Sequence, residues 1–223
     1  MKNFKAPAWV VLFVVGLLFG HTSEAQAQGA RTAARALITK VRLDNNEGAH
    51  SGAVYVTIRG AERKIADDAF DAWIIEGGRR VVYSGRDGSG GFEDEGQSLR
   101  IYDARTGRQR KIMSEYVGVD KVTEVTTSTK KTALLVAMSD GGLGASYLAV
   151  VDPERGEVFF RRWVRLLSRR GDIITMGHYK EDDWEDLNSD QTGNAKVKPY
   201  KRERQNLNAL LKGRVIFNKR DRP

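Results

Sequence analysis

Cysteine is absent from all 223 residues. Disulfides, thiolate metal ligands and the lipid-bearing cysteine of bacterial lipoproteins are therefore excluded. Histidine is scarce, with only His21, His50 and His178. A Ser-His-Asp triad would have to use one of them, and none lies in a nucleophile motif. No glycine-rich run stands between a strand and a helix with a following Lys-Ser or Lys-Thr, so the sequence holds no phosphate loop. The apolar run at residues 8–19 is well short of the roughly 20 residues that span a bilayer.

That run, preceded by Lys2 and Lys5 and followed by the small-x-small triplet Ala25-Gln26-Ala27, has the pattern of a secretory signal peptide. Cleavage is expected after Ala27, with export to the periplasm or the exterior; an uncleaved anchor is the alternative. The formal charge of +8 falls to +7 once Lys2, Lys5 and Glu24 are removed. In an exported protein this balance suits anionic envelope components rather than nucleic acid, and it also serves plain solubility. A chain of this length suits one domain with a sizeable core, and its many short apolar runs favour an all-β class.

The organising stretch is residues 73–112, WIIEGGRRVVYSGRDGSGGFEDEGQSLRIYDARTGRQRKI, which reads as four consecutive antiparallel strands separated by glycine-rich or charged turns. Weaker copies flank it. Gly60 to Ile65 overlays Gly107 to Ile112, Leu99 to Asp103 overlays Leu148 to Asp152, and 197–211 overlays 99–113, with Tyr200 on Tyr102 and Leu210 on Ile112. A period near 48 is the length of one four-stranded propeller blade. The chain divides into a signal peptide (1–27), a lead-in (28–35), units at about 36–66, 71–113, 123–160 and 163–211, a closing strand (214–218) and a basic tail (219–223). Near-continuous apolar runs at 81–85, 134–138 and 173–177 mark the second strand of each later unit as buried on both faces.

The segments AWIIEGGRRVVYSGRDG and SLRIYDARTGRQRKI resemble the TolB-type β-propeller repeat, with its Gly-Gly turn, a strand ending near Ser-x-x-Asp-Gly, and a return strand closing on Tyr-Asp-x-x-Thr-Gly. Ile75-Glu76 stands where that family usually has Pro-Asp. The resemblance implies a fold and binding roles in exported proteins, and it carries no catalytic residues. The first unit has three strands and lacks an innermost one, so Val215-Ile216-Phe217 could complete it and close a four-bladed disc. An open or sandwich-like β array, with 205–212 forming a helical turn or two, is the competing architecture.

In such a meander alternate turns lie at opposite ends. One end gathers Arg79, Arg80, Lys130, Lys131, Arg169, Arg170, Arg59, Arg105, Arg108 and Arg155, and is expected to be basic. The other gathers carboxylates, among them Asp67, Asp68, Asp71, Asp87, Glu93, Asp94 and Asp182, and is expected to be acidic. Within the latter, the loop at 86–97 could hold calcium through Asp87, Glu93 and Asp94, although its spacing is not that of an EF-hand. The segment HYKEDDWEDLN at 178–188 could bind a ligand through His178, Tyr179, Asp182, Asp183 and Trp184, with Arg86 and Asp87 alongside; Trp184 would then be an aromatic platform, or else it tucks into a neighbouring sheet.

These readings favour an exported, non-catalytic interaction module that binds a protein, peptide or glycan partner in the envelope, with no cofactor required and calcium as an option. It is not expected to be an integral membrane protein, and it could self-associate through edge strands. The alternative is an exported hydrolase or lyase assisted by calcium or another divalent ion, with Asp182 and Asp183 joining Asp87, Glu93 and Asp94.

Overall fold

The structure, a computed structural model, describes residues 37–44, 51–86, 97–116, 118–139, 146–184, 187 and 197–214. The expected signal peptide, the lead-in, the apolar run 215–217 and the basic tail lie outside the described residues. The described chain is all-β, with antiparallel pairing throughout.

The first sheet runs in chain order through β1 (Ile38–Asp44), β2 (Gly52–Ile58), β3 (Ala61–Ile75), β4 (Arg80–Arg86), β5 (Gln97–Asp103) and β6 (Gln109–Tyr116). The second contains β7 (Val119–Thr126), β8 (Thr132–Ser139), β9 (Ser146–Asp152) and β10 (Gly156–Arg162). The third contains β11 (Val164–Arg170), β12 (Ile173–His178) and β13 (Lys201–Asn206), and a single helical turn, α1 (Leu207–Leu210), follows. Asn206 starts that turn by accepting the Ala209 N–H at 3.2 Å, as an N-cap should.

Alternation of side chains turns these sheets into a stack. In β4, Val81 and Tyr83 pack with Ile38, Val54, Val56 and Ile65 from β1 to β3, whereas Val82 packs with β7 to β9. In β8, Leu134, Val136 and Met138 meet Leu99, Ile101, Ile112 and Met113 of the first sheet; Ala133 and Leu135 turn to Ile174 and Met176 of the third and to Leu207 and Leu211 at α1. The middle strands are thus buried on both faces because consecutive residues serve different layers. Each fully buried Leu, Ile or Met contributes roughly 1.5–3 kcal/mol of transfer free energy.

Three expectations are corrected. Residues 67–71 are not a loop between two units, because β3 is continuous, pairing first with β2 and then with β4. The ladder is irregular between Ala69 and Asp71, where the Asp71 N–H donates to Ser84 Oγ (3.1 Å) and the Ala72 N–H to Asp71 Oδ1 (2.8 Å), so side chains satisfy the bend. The fourth unit shows three strands among the described residues, and Tyr200 is 63% exposed whereas Tyr102 is 1% exposed, so the overlay of those two tyrosines does not carry into packing.

The end expected to be basic is mixed. Arg80 is buried there among carboxylates, donating to Asp103 Oδ2 (3.3 Å), Glu76 Oε1 (3.3 Å) and Glu154 Oε1. Glu124 accepts the Glu76 N–H, and Asp172 accepts from Ser128 and Asn208. These bonds tie the turns of successive sheets together. At the opposite end, Asp67 pairs with Lys64, and Asp68 lies 3.4 Å from Arg86.

Candidate functional site

A cleft of about 640 Å³ lies between the second and third sheets. Its floor follows from the registers Thr123 opposite Leu135, Lys121 opposite Ala137, Ala137 opposite Leu148 and Ser139 opposite Ser146, which place these residues on one face of the second sheet. Val164 and Leu166 of β11 form the facing wall. At the mouth the Ser139 hydroxyl donates to Asp120 Oδ1 at 2.7 Å. Partial burial pushes the Asp120 carboxyl above its ordinary range, and the Ser139 hydroxyl works against that shift. An apolar floor with a few polar groups at its rim is the usual form of a ligand site.

A second hollow, about 350 Å³, lies where β10 passes into β11 and β12 ends; Arg162, Trp163, His178, Tyr179, Lys180, Glu181 and Tyr200 line it. Gly177 makes room for its wall, since a Cβ there would stand 2.9 Å from Pro199 Cβ and 3.1 Å from a Leu167 methyl. Pro199 can therefore close over β12. The Tyr200 N–H then reaches the His178 carbonyl at 3.0 Å, which seats the exposed phenol beside the imidazole, with ring centroids 6.2 Å apart.

His178 Nε2 lies 2.8 Å from Glu203 Oε2, and Gln205 Nε2 donates to Glu203 Oε1 at 2.7 Å. Burial alone would push the Glu203 carboxyl up. The donors Gln205 and His178, with Arg161 3.4 Å away, outweigh it and hold the carboxyl below the usual range. A carboxylate only accepts, so Nε2 of His178 is the donor in this pair.

Of the residues singled out in the sequence, His178 and Tyr179 line this hollow. Trp184 does not present a platform: it is 1% exposed, packed 5.9 Å from Trp163 and 5.5 Å from Tyr179, with the Arg165 guanidinium 5.4 Å from its ring. It supports the floor from behind. Asp183 is occupied locally, accepting the Lys180 N–H at 3.1 Å, and Asp182 is exposed on the same short turn. Arg86 belongs to the first sheet, beside Asp68 and 5.8 Å from the Phe70 ring, and does not line the hollow. Asp87, Glu93 and Asp94 lie outside the described residues, and among the described residues no three His, Asp or Glu side chains gather as a cation would require.

Trp163, Arg162 and Tyr200 were not singled out together in the sequence. Trp163 stands in the turn between two sheets, and Tyr200 is brought in by the pairing of β13 with β12. The available signal was the pair of aromatic residues flanking otherwise polar or basic segments, Arg161-Arg162-Trp163 and Lys198-Pro199-Tyr200. No protein family, no curated protein and no solved structure matches the chain. Among the described residues no helix is long and apolar enough to cross a membrane.

Proposed function

We propose that the chain is an exported, non-catalytic binding module whose stacked sheets are successive blades of an open, propeller-like array, and that it holds apolar side chains of a protein or peptide partner. The cleft between the second and third sheets carries this reading. Its floor of Leu135, Ala137 and Leu148 and its wall of Val164 and Leu166 offer apolar surface to a ligand, while Lys121, Ser139, Ser146 and Asp120 supply polar contacts at the rim. The passage of β6 into β7 and of β10 into β11 through one or two residues supports the blade reading. So does the resemblance of residues 73–112 to the TolB-type repeat. Export rests on the pattern of residues 1–27.

Fluorescence polarisation with labelled hexapeptides carrying Leu or Phe at alternate positions tests the proposal. Ala137 is half-buried on the cleft floor, so Ala137→Trp fills the space from within. Saturable binding that weakens about tenfold or more in Ala137→Trp is expected, since even one lost apolar anchor is worth over 1.4 kcal/mol. Absence of binding, or binding that the substitution leaves unchanged, would overturn it.

A further inference from the structure

We infer that the hollow around Trp163 and Tyr200 is a second binding site, for a sugar ring bearing one carboxylate, as in a uronic-acid oligosaccharide. It shares no lining residue with the cleft between the sheets, and so stands or falls independently of it.

Its walls supply the first argument. Tyr200 is 63% exposed, yet its main chain is bonded to His178, so a large amphipathic ring is held in place at the surface with water on its free face. Trp163 stands opposite this economy of burial in another way: it is a bulky residue with φ +58°, a left-handed conformation that its side chain disfavours. The Tyr179 N–H donating to the Trp163 carbonyl (3.1 Å) and the packing on Trp184 hold it there. Strain of this kind persists where the surroundings over-determine a residue, and it clusters at ligand sites. Flat aromatic faces with polar edges suit the C–H face of a pyranose ring, leaving the hydroxyls to the rim.

Charge selects among ring-shaped ligands. Among the lining residues Arg162 and Lys180 are set against Glu181, and Glu203 behind His178 is matched by Arg161, so the hollow's cations exceed its anions by one. A polyphosphate would meet two carboxylates; one ligand carboxylate balances the site. Lys180 is exposed on the hollow's edge with donors for that carboxylate, and the exposed Glu181 accepts from ring hydroxyls. The volume, about 350 Å³, is at the lower end of ligand pockets, which run from about 300 to 1,000 Å³.

The test is calorimetric titration of the full chain with tetragalacturonate, with its methyl ester and with neutral cellotetraose. Tetragalacturonate should bind, and the two uncharged sugars should bind about tenfold or more weakly, as should the acid to Lys180→Gln, each comparison removing a charge-assisted bond. Tyr200→Ala should also weaken the acid. Both substituted residues are exposed, so these variants keep the fold, which circular dichroism checks. No binding of tetragalacturonate at millimolar concentration would overturn the assignment. So would equal binding of the ester, affinity untouched by either substitution, or tighter binding of adenosine diphosphate than of the acid sugar.

Discussion

Arg80 shows how one side chain decides the fate of several others. Its guanidinium is 10% exposed and meets three carboxylates, Glu76, Asp103 and Glu154, the last from the neighbouring sheet. Burial opposes its charge, yet the bonds to Glu154 and the field of Glu76 outweigh burial and raise its pKa. Asp103 is the counterpart: burial would raise its carboxyl, but the Thr106 N–H, the Arg80 side chain and the Arg105 N–H hold it below the usual range. Removing Arg80 takes from three acids the cation they share, so Arg80→Met should destabilise the fold by about 3 kcal/mol at neutral pH. A depressed carboxyl stabilises above its unfolded value, about 3.9 for Asp, and this contribution is lost as pH falls through the lower folded value. The gap between wild type and Arg80→Met should therefore narrow below about pH 4 as the acids protonate. Urea unfolding across pH 2.5–7 checks both; a gap that is small, or constant with pH, would contradict the account.

At the level of elements, β1 and the turn Glu76–Gly78 approach each other closely at a glycine. A Cβ on Gly78 would lie 2.6 Å from the Ile38 carbonyl oxygen, and the residue sits at φ +92°. Gly78→Ala must therefore strain the backbone and push β1 away, at a cost of about 1–3 kcal/mol or more. The urea midpoint should fall accordingly; an unchanged midpoint would mean that β1 is not seated there.

The same scale shows what was legible in the sequence. Middle strands were readable because burial on both faces demands the unbroken apolar runs at Val81-Val82-Tyr83 and at Leu134 to Met138. β3 was hidden, since Asp67, Asp68 and Asp71 lie where the strand faces solvent and changes partner, so no alternation marks it. β7 buries Val119, Val122 and Val125 at intervals of three, because a bulge after Val119 and packing against two layers erase the period of two. The site was half legible: His178 and Tyr179 end a buried strand, whereas Trp163 and Tyr200 join them only through sheet pairing. The cleft was not legible at all, because its lining comes from two sheets that only tertiary packing brings together.

For the molecule as a whole, stacking order sets the stability of each layer. The second sheet is covered on both sides, by the first sheet through Leu134, Val136 and Met138 and by the third through Leu135, Leu148 and Val150. Among the described residues the third sheet packs on the second through Val164, Ile174 and Met176, and its other side leaves Leu167 and Ile173 partly exposed. A stack in which each layer contacts only its neighbours opens from its ends, as repeat arrays do. Amides of β8 and β9 should therefore exchange with solvent slowest, and those of β13 and of β1 fastest. Met176 is fully buried in the contact between the second and third sheets. Met176→Ala should cost about 2–5 kcal/mol there and speed exchange in β11 to β13 far more than in β4 and β5. Native-state hydrogen exchange read by mass spectrometry distinguishes the cases. Uniform acceleration across all three sheets would mean that the stack opens as one cooperative unit, and the layered account would then fail.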